Sequence, residues 1–202
     1  MEDKELLNRY SITEALNKDF YSSLGLARGK MRAVIYFFHC ARDSGDEYYE
    51  QIAGHLLDDI FEHLSVDTPL SFADGLCGIG WGMEYLFQQG FVEGEPDDAL
   101  AEIDSYIIHS IYLQEMEDLG LDNGILGLGR YILMRIRPTW VKGDTFRSIE
   151  LKENLIYLID WIDRKLDEAG SAQADILDWL FELRDTGFYK TKVEKMIAKL
   201  QK

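Results

Sequence analysis

The chain has 202 residues, of which 47% are hydrophobic, and this is enough for one domain with a sizeable core. Its formal net charge of −16 would repel phosphate backbones and anionic lipids, so we expect neither nucleic acid nor membrane as a partner. A basic peptide is compatible with this charge, although an acidic surface that keeps the protein soluble is the simpler explanation.

We next consider segments that could span a membrane or direct the chain out of the cytoplasm. The longest apolar runs, such as residues 33–40, are too short to cross a bilayer, and residues 1–7 show no leader pattern. The two cysteines do not form a disulfide framework. We therefore expect a cytoplasmic protein.

Apolar residues recur at helical spacing along most of the chain, and no segment is convincing as a strand. Strongly apolar helices alternate with amphipathic ones, and short turns separate them. The predicted helices span residues 3–17, 30–42, 47–64, 79–89, 97–114, 128–136, 146–169, 175–184 and 189–200. The pattern predicts a single all-α domain over residues 1–202.

Glycines recur with a fixed spacing. Two sets with the same internal offsets lie 49 residues apart, namely Gly75, Gly78 and Gly80, and then Gly124, Gly127 and Gly129. Two longer series keep this step, namely Gly29, Gly78 and Gly127, and Gly45, Gly94 and Gly143. A shared period indicates a repeat protein.

Each unit contains an apolar helix, a turn, an amphipathic helix and a glycine loop. Such units bury their apolar helices by stacking, with the amphipathic helices outside. A fourth unit is expected near Ile176 without the glycines, since terminal repeats are often atypical. The sequence thus predicts an arc of about four helical hairpins.

The glycines before the apolar helices have two interpretations. Backbone amides at a helix start can bind phosphate. However, the spacing Gly75-x-x-Gly78-x-Gly80 is neither a dinucleotide fingerprint nor a Walker loop, and no strand precedes it. Because the pattern is repeated, we interpret these glycines as positions where inner helices start and pack closely.

Residues 74–86 and 123–133 resemble the repeated Gly-x-x-Gly helix entry of lanthionine synthetase C-like proteins, and residues 26–29 resemble a degraded copy. The resemblance covers residues 21–137 by motif and the remainder by helix rhythm. It implies an α/α toroid, with inner helices facing a central cavity. Full-length members have more helical pairs than the four predicted here. The chain therefore resembles a shortened member, which could associate with another copy or a partner chain.

The family's cyclases bind zinc through two cysteines and a histidine in W-C-x-G and C-H-G segments, and the metal activates a peptide thiol. Neither segment occurs here, since no cysteine follows Cys77 and no histidine follows His109. We therefore expect no zinc and no other cofactor. An unrelated site from His39, Cys40 and Cys77 is disfavoured, because adjacent helical residues point about 100° apart.

Carboxylates offer a second route to catalysis. Asp74 and Glu84 lie near one inner helix and Asp122 lies at the next glycine loop. Paired carboxylates at a suitable separation act as acid and base, and α/α toroids also host carbohydrate-active enzymes. However, the chain has 37 acidic residues, so some are expected near a rim by chance.

Trp81 and Tyr85 could stack on a peptide or a sugar, although aromatic residues at helical spacing more often belong to a core. Together with Arg130 they are the candidate binding residues.

These observations favour a non-catalytic lanthionine synthetase C-like protein that binds a peptide or partner protein, in the context of peptide modification. Two alternatives stay open. An enzyme would require Asp74, Glu84 and Asp122 to converge on one cavity. A structural subunit that completes a larger toroid would require large apolar surfaces at the ends of the arc.

Overall fold

The computed structural model describes residues 23–65, 67–114 and 116–201, and this part of the chain is helical and contains no strand. The predicted all-α class is therefore confirmed. The helix predicted over residues 3–17 lies outside the described residues. None of the helices in the described ranges combines the length and the apolar character needed to span a membrane.

The helices largely follow the predicted order. Their bounds are α1 (Lys30–Ser44), α2 (Glu47–His63), α3 (Leu76–Gln89), α4 (Pro96–Ala99), α5 (Ala101–Leu113), α6 (Ile125–Ile136), α7 (Thr139–Lys142), α8 (Phe146–Lys165), α9 (Gln173–Thr186) and α10 (Lys190–Leu200). The helix predicted over residues 97–114 divides at Leu100, which leaves the helical conformation (φ −106°, ψ 6°) and buries its side chain. The helix predicted over residues 146–169 ends at Lys165 and continues as 3₁₀ turns.

The helices form two rows. In the inner row, α1 packs on α3, α3 on α6, and α6 on α9. In the outer row, α2 covers α1, α8 covers α6 and α10 covers α9, while α5 contacts both α3 and α8. The inner and outer helices differ in how much of their surface is buried, as their hydrophobic patterns predict. Every position of α6 is buried except Arg130, whereas α8 buries one stripe that includes Leu151, Leu155, Leu158 and Ile162.

One type of turn begins three of the four inner helices. The amide of the first helical residue donates to the carbonyl seven residues earlier, in Lys30 to Ser23 (3.1 Å), Leu76 to Pro69 (2.8 Å) and Ile125 to Asp118 (2.8 Å). The N-caps of these helices are Gly29, Gly75 and Gly124. A Cβ on Gly75 would lie 1.9 Å from the Pro69 carbonyl oxygen, so this turn closes only around a residue without a side chain.

The turns correct the predicted repeat. The four inner N-caps are Gly29, Gly75, Gly124 and Ala172, which are 46, 49 and 48 residues apart. A uniform step of 49 is therefore wrong, and Gly29 corresponds to Gly75 rather than to Gly78. The step varies because outer helices and loops of different length can connect inner helices that still pack in the same way.

The second glycine series does not mark one structural position. Gly45 ends α1 with φ +71°, and the equivalent residue at the end of α3 is Gly90 with φ +66°. Gly94 lies in the following turn, and Gly143 ends the short helix α7. The left-handed conformation at helix ends explains why glycine occurs at Gly45 and Gly90.

Other glycines lie inside the inner helices and face large side chains of the next helix. A Cβ on Gly80 would lie 2.5 Å from the Tyr131 ring, and a Cβ on Gly129 would lie 2.7 Å from the Trp179 ring. On the opposite side of α3, a Cβ on Gly82 would lie 2.4 Å from the Met31 side chain. The inner helices are thus close enough for backbone to contact side chain directly.

This packing also explains why two inner helices begin earlier than predicted. Helices α3 and α6 begin before the predicted residues 79 and 128, so Gly78 and Gly127 are helical rather than part of the loop. Glycine weakens a helix by about 1 kcal/mol relative to alanine, which is why the sequence pattern favours a later start. Contacts with neighbouring helices offset that cost here.

Candidate functional site

The surface shared by the inner helices α3, α6 and α9 contains a cavity of about 340 Å³. We call it the Trp81 groove. The residues that line it are Phe72, Trp81, Leu121, Leu133, Met134, Arg130, Arg137 and Glu182. It therefore combines aromatic and aliphatic surface with a small charged cluster.

The aromatic part of the groove is ordered by ring contacts. Trp81 stacks on Tyr85, with ring centroids 5.6 Å apart and planes at 10°, and Phe72 meets Trp81 edge-on at 6.2 Å. Tyr85 in turn forms a 2.8 Å hydrogen bond with His39 Nε2 on α1. Trp81 and Tyr85 lie four residues apart on α3, so they occupy one helical face. Each ring is held on at least one side by another ring.

The charged part of the groove joins α6 to α9. The Arg130 guanidinium pairs with Glu182 Oε1, and Arg137 Nη2 donates to Glu182 Oε2 at 3.0 Å. Arg130 is the one position of α6 that is not buried, and its side chain is 21% exposed. Two guanidiniums share one carboxylate, which leaves the cluster with a net positive charge inside a strongly acidic protein.

The structure brings together the three predicted binding residues. Trp81 and Arg130 line the same groove, and Tyr85 stacks on Trp81. Sequence reasoning missed Arg137 and Glu182. Arg137 follows Arg130 by seven residues on the chain, a spacing that places both near one helical face and could have identified it.

The predicted catalytic carboxylates do not meet in one cavity. Asp74 is exposed and accepts a 2.7 Å hydrogen bond from Ser23 Oγ. Asp122 is exposed and lines a separate cavity of about 560 Å³ at the start of α6. Glu84 is 2% exposed and lies at the border of a third cavity. The convergence that the enzymatic interpretation requires is absent among these three residues.

Glu84 belongs instead to a buried ionic network that the sequence analysis did not identify. Arg135, which is 4% exposed, donates from Nη1 to Glu84 at 2.7 Å and from Nη2 to Asp104 at 2.9 Å. Asp104 is fully buried, and it also accepts a 2.6 Å hydrogen bond from the Tyr131 hydroxyl. Asp97 provides a further carboxylate to Arg135 at 2.9 Å.

The network raises the pKa of two of its members, Tyr131 and Arg135. Burial, followed by the nearby Asp104 charge, raises the pKa of Tyr131 well above its ordinary value. Burial by itself would lower the pKa of the Arg135 guanidinium, but the hydrogen bonds to Asp104 outweigh this effect and raise the pKa. Each charged group therefore has an opposite partner, and the network joins α3, α5 and α6 through their side chains.

The potential metal ligands are dispersed. Among the residues that the structure describes, no three His, Cys, Asp or Glu side chains are grouped so that they could hold a metal ion. Cys77 is fully buried, and burial raises the pKa of its thiol. Cys40 is half-buried on α1, and the neighbouring His39 is hydrogen bonded to Tyr85.

Large exposed apolar side chains are concentrated on the outer row. Tyr112 on α5 and Tyr157 on α8 are 65% and 55% exposed, with ring centroids 6.1 Å apart. The terminal inner helix α9 carries none of the strongly exposed large apolar residues that the described part of the chain contains.

No protein-family model matches this chain, and no curated protein matches it either.

Proposed function

We propose that this chain is a non-catalytic helical-repeat protein that binds a peptide, or a peptide segment of a partner protein, in the Trp81 groove. The observation that carries the proposal is the meeting of Trp81, Tyr85 and Arg130 on one face of the inner row. Aromatic rings provide large contact area at low entropic cost, and arginine adds directional hydrogen bonds, which is why both are enriched at binding sites.

Three findings support this proposal over catalysis. Glu84 and Asp122 line different cavities, Glu84 is neutralised by Arg135, and the groove itself presents arginines that already pair with Glu182. Binding therefore explains the groove without requiring a reactive group.

The same repeat geometry supports a relationship to the lanthionine synthetase C-like proteins. Gly29, Gly75 and Gly124 begin successive apolar helices through one type of turn, as the Gly-x-x-Gly entries of that family imply. We infer a shortened toroid-like arc without the family's zinc ligands, which acts in a peptide-modification pathway in the cytoplasm. An arc of this kind could also pair with a second copy.

A peptide-display selection tests the binding proposal. A random peptide library is selected on the wild-type protein, and the enriched peptides are then measured against Trp81→Ala. We expect their affinity to fall by at least tenfold, because alanine removes the main aromatic surface of the groove. Phe61→Ala is the matched control, since Phe61 is an exposed aromatic residue (45%) on the outer helix α2. Failure to enrich any peptide, or equal binding to wild type and Trp81→Ala, would refute the proposal.

A further inference from the structure

Building on the proposed function, we infer that the Trp81 groove selects peptides in which a carboxylate lies next to an aromatic side chain. In this arrangement Arg130 and Arg137 hold the carboxylate, and the aromatic ring packs on Trp81. The inference concerns the chemistry of the ligand, which peptide binding alone leaves open.

The charges of the groove support a carboxylate. A guanidinium offers five N–H donors, and bidentate pairing with a carboxylate is its preferred geometry. Arg130 and Arg137 share the single carboxylate of Glu182. Among the residues that the structure describes, no second acceptor is hydrogen bonded to the Arg137 guanidinium, and this side chain is 53% exposed. The cluster can therefore accept one more negative group before its charge is balanced.

The aromatic part specifies what lies beside that carboxylate. Phe72 and Trp81 line the same cavity as the two arginines, and further apolar surface comes from Leu121, Leu133 and Met134. A volume of about 340 Å³ is of the size that binds one or two side chains rather than a folded element. A ring next to a carboxylate is the smallest group that uses both parts of this lining.

The surroundings restrict the remainder of the peptide. Asp178 and Asp185 lie on the same face of α9 as Glu182, one helical turn before and after it. The chain as a whole carries a net charge of −16. A peptide with additional acidic residues would be repelled, whereas a basic residue beside the carboxylate would be attracted. We therefore expect the preferred ligand to be neutral or basic overall.

Three synthetic peptides test the inference by isothermal titration calorimetry. The first is acetyl-Lys-Gly-Phe with a free C-terminal carboxylate, and the second is the same peptide with a C-terminal amide. The third, acetyl-Lys-Glu-Phe-amide, carries its carboxylate on a side chain. We expect the first to bind about tenfold or more tightly than the second, because a hydrogen bond to a charged group is lost. The third distinguishes a side-chain carboxylate from a chain terminus.

Two substitutions should change this preference in opposite directions. Arg137→Gln should remove most of the discrimination between carboxylate and amide. Glu182→Gln should tighten binding of the free carboxylate several-fold, because the internal competitor is gone while both arginines stay. Arg164→Gln is the control, since Arg164 is an exposed arginine on the outer helix α8. Thermal melts of each variant verify that it is folded.

Each outcome separates the two proposals. If carboxylate and amide bind equally and Trp81→Ala abolishes both, the groove binds peptides but the carboxylate inference is wrong. If Glu182→Gln weakens the carboxylate peptide while the variant stays folded, the inference is also wrong. Absence of binding by all three peptides at millimolar concentration overturns the inference, and the library selection independently decides whether the groove binds peptides at all.

Discussion

Substituting glycine by alanine at two helical positions should change stability in opposite directions. Gly80 lies inside α3, where a Cβ would stand 2.5 Å from the Tyr131 ring and 3.1 Å from Ile103 Cγ2. Tyr131 is fully buried and donates to Asp104, so its ring cannot move without disturbing that hydrogen bond. Gly54 lies in the middle of α2, where no atom lies within 4 Å of an added Cβ.

Both substitutions gain about 1 kcal/mol of helix propensity. At Gly54 nothing opposes this gain, so we expect stabilisation by about 0.5–1 kcal/mol. At Gly80, overpacking costs about 1–3 kcal/mol. Displacing Tyr131 weakens a hydrogen bond to a charged group, which contributes about 1.5–3 kcal/mol. We therefore expect Gly80→Ala to destabilise the protein by about 2 kcal/mol.

Urea denaturation followed by circular dichroism measures both free energies of unfolding, and a thermal melt should show shifts of about 2–4 °C per kcal/mol for a chain of this size. Comparing two identical substitutions removes the intrinsic difference between glycine and alanine. A Gly80→Ala protein that is as stable as Gly54→Ala would refute the reasoning, because it would show that α3 and α6 are not in close contact at this position.

Two further substitutions probe the core. Arg135→Met leaves Glu84 buried without its cationic partner and leaves Asp104 only the more distant Arg147 at 3.7 Å, so it should destabilise the protein by about 3–5 kcal/mol in urea denaturation. Arg137→Met removes an exposed ion pair and should cost less than about 1 kcal/mol. Similar losses for the two variants would contradict the burial of the network. Because burial raises the folded-state pKa of Cys77, the stability it contributes is complete below the unfolded pKa and is lost as pH rises above it. Between pH 8 and pH 10 the wild type should thus lose about 2 kcal/mol more than Cys77→Ala, and parallel pH profiles would contradict this.

The buried network shows how polar groups enter an otherwise apolar inner row. Arg135 lies in the apolar run of α6, and Glu84 lies in the apolar run of α3. A charge at such a position requires an opposite charge nearby, since an isolated buried ion is very costly. The charged residues were therefore visible in the sequence, but the pairing of Glu84 with Arg135 and of Arg135 with Asp104 was not. That pairing depends on which helices become neighbours.

The sequence by itself determined the helical class and the alternation of inner and outer helices. Hydrophobic periodicity is a local property, so it identifies an amphipathic helix such as α8 and a nearly all-apolar helix such as α6 without knowledge of their neighbours. The glycines Gly75 and Gly124 were located for a similar reason. Their turn involves only the seven residues before each helix, and it requires a residue without a side chain in each copy.

Only the tertiary structure decided the register between units and the composition of the groove. The N-caps Gly29 and Gly75 are 46 residues apart rather than 49, because the length of outer helices and loops is not constrained by the packing of the inner row. The groove joins Trp81 to Arg130, and both to Glu182 from a third helix, across about 50 residues at each step. Such distances along the chain carry no local signal. The contacts form because each apolar helix buries its sides against the next one.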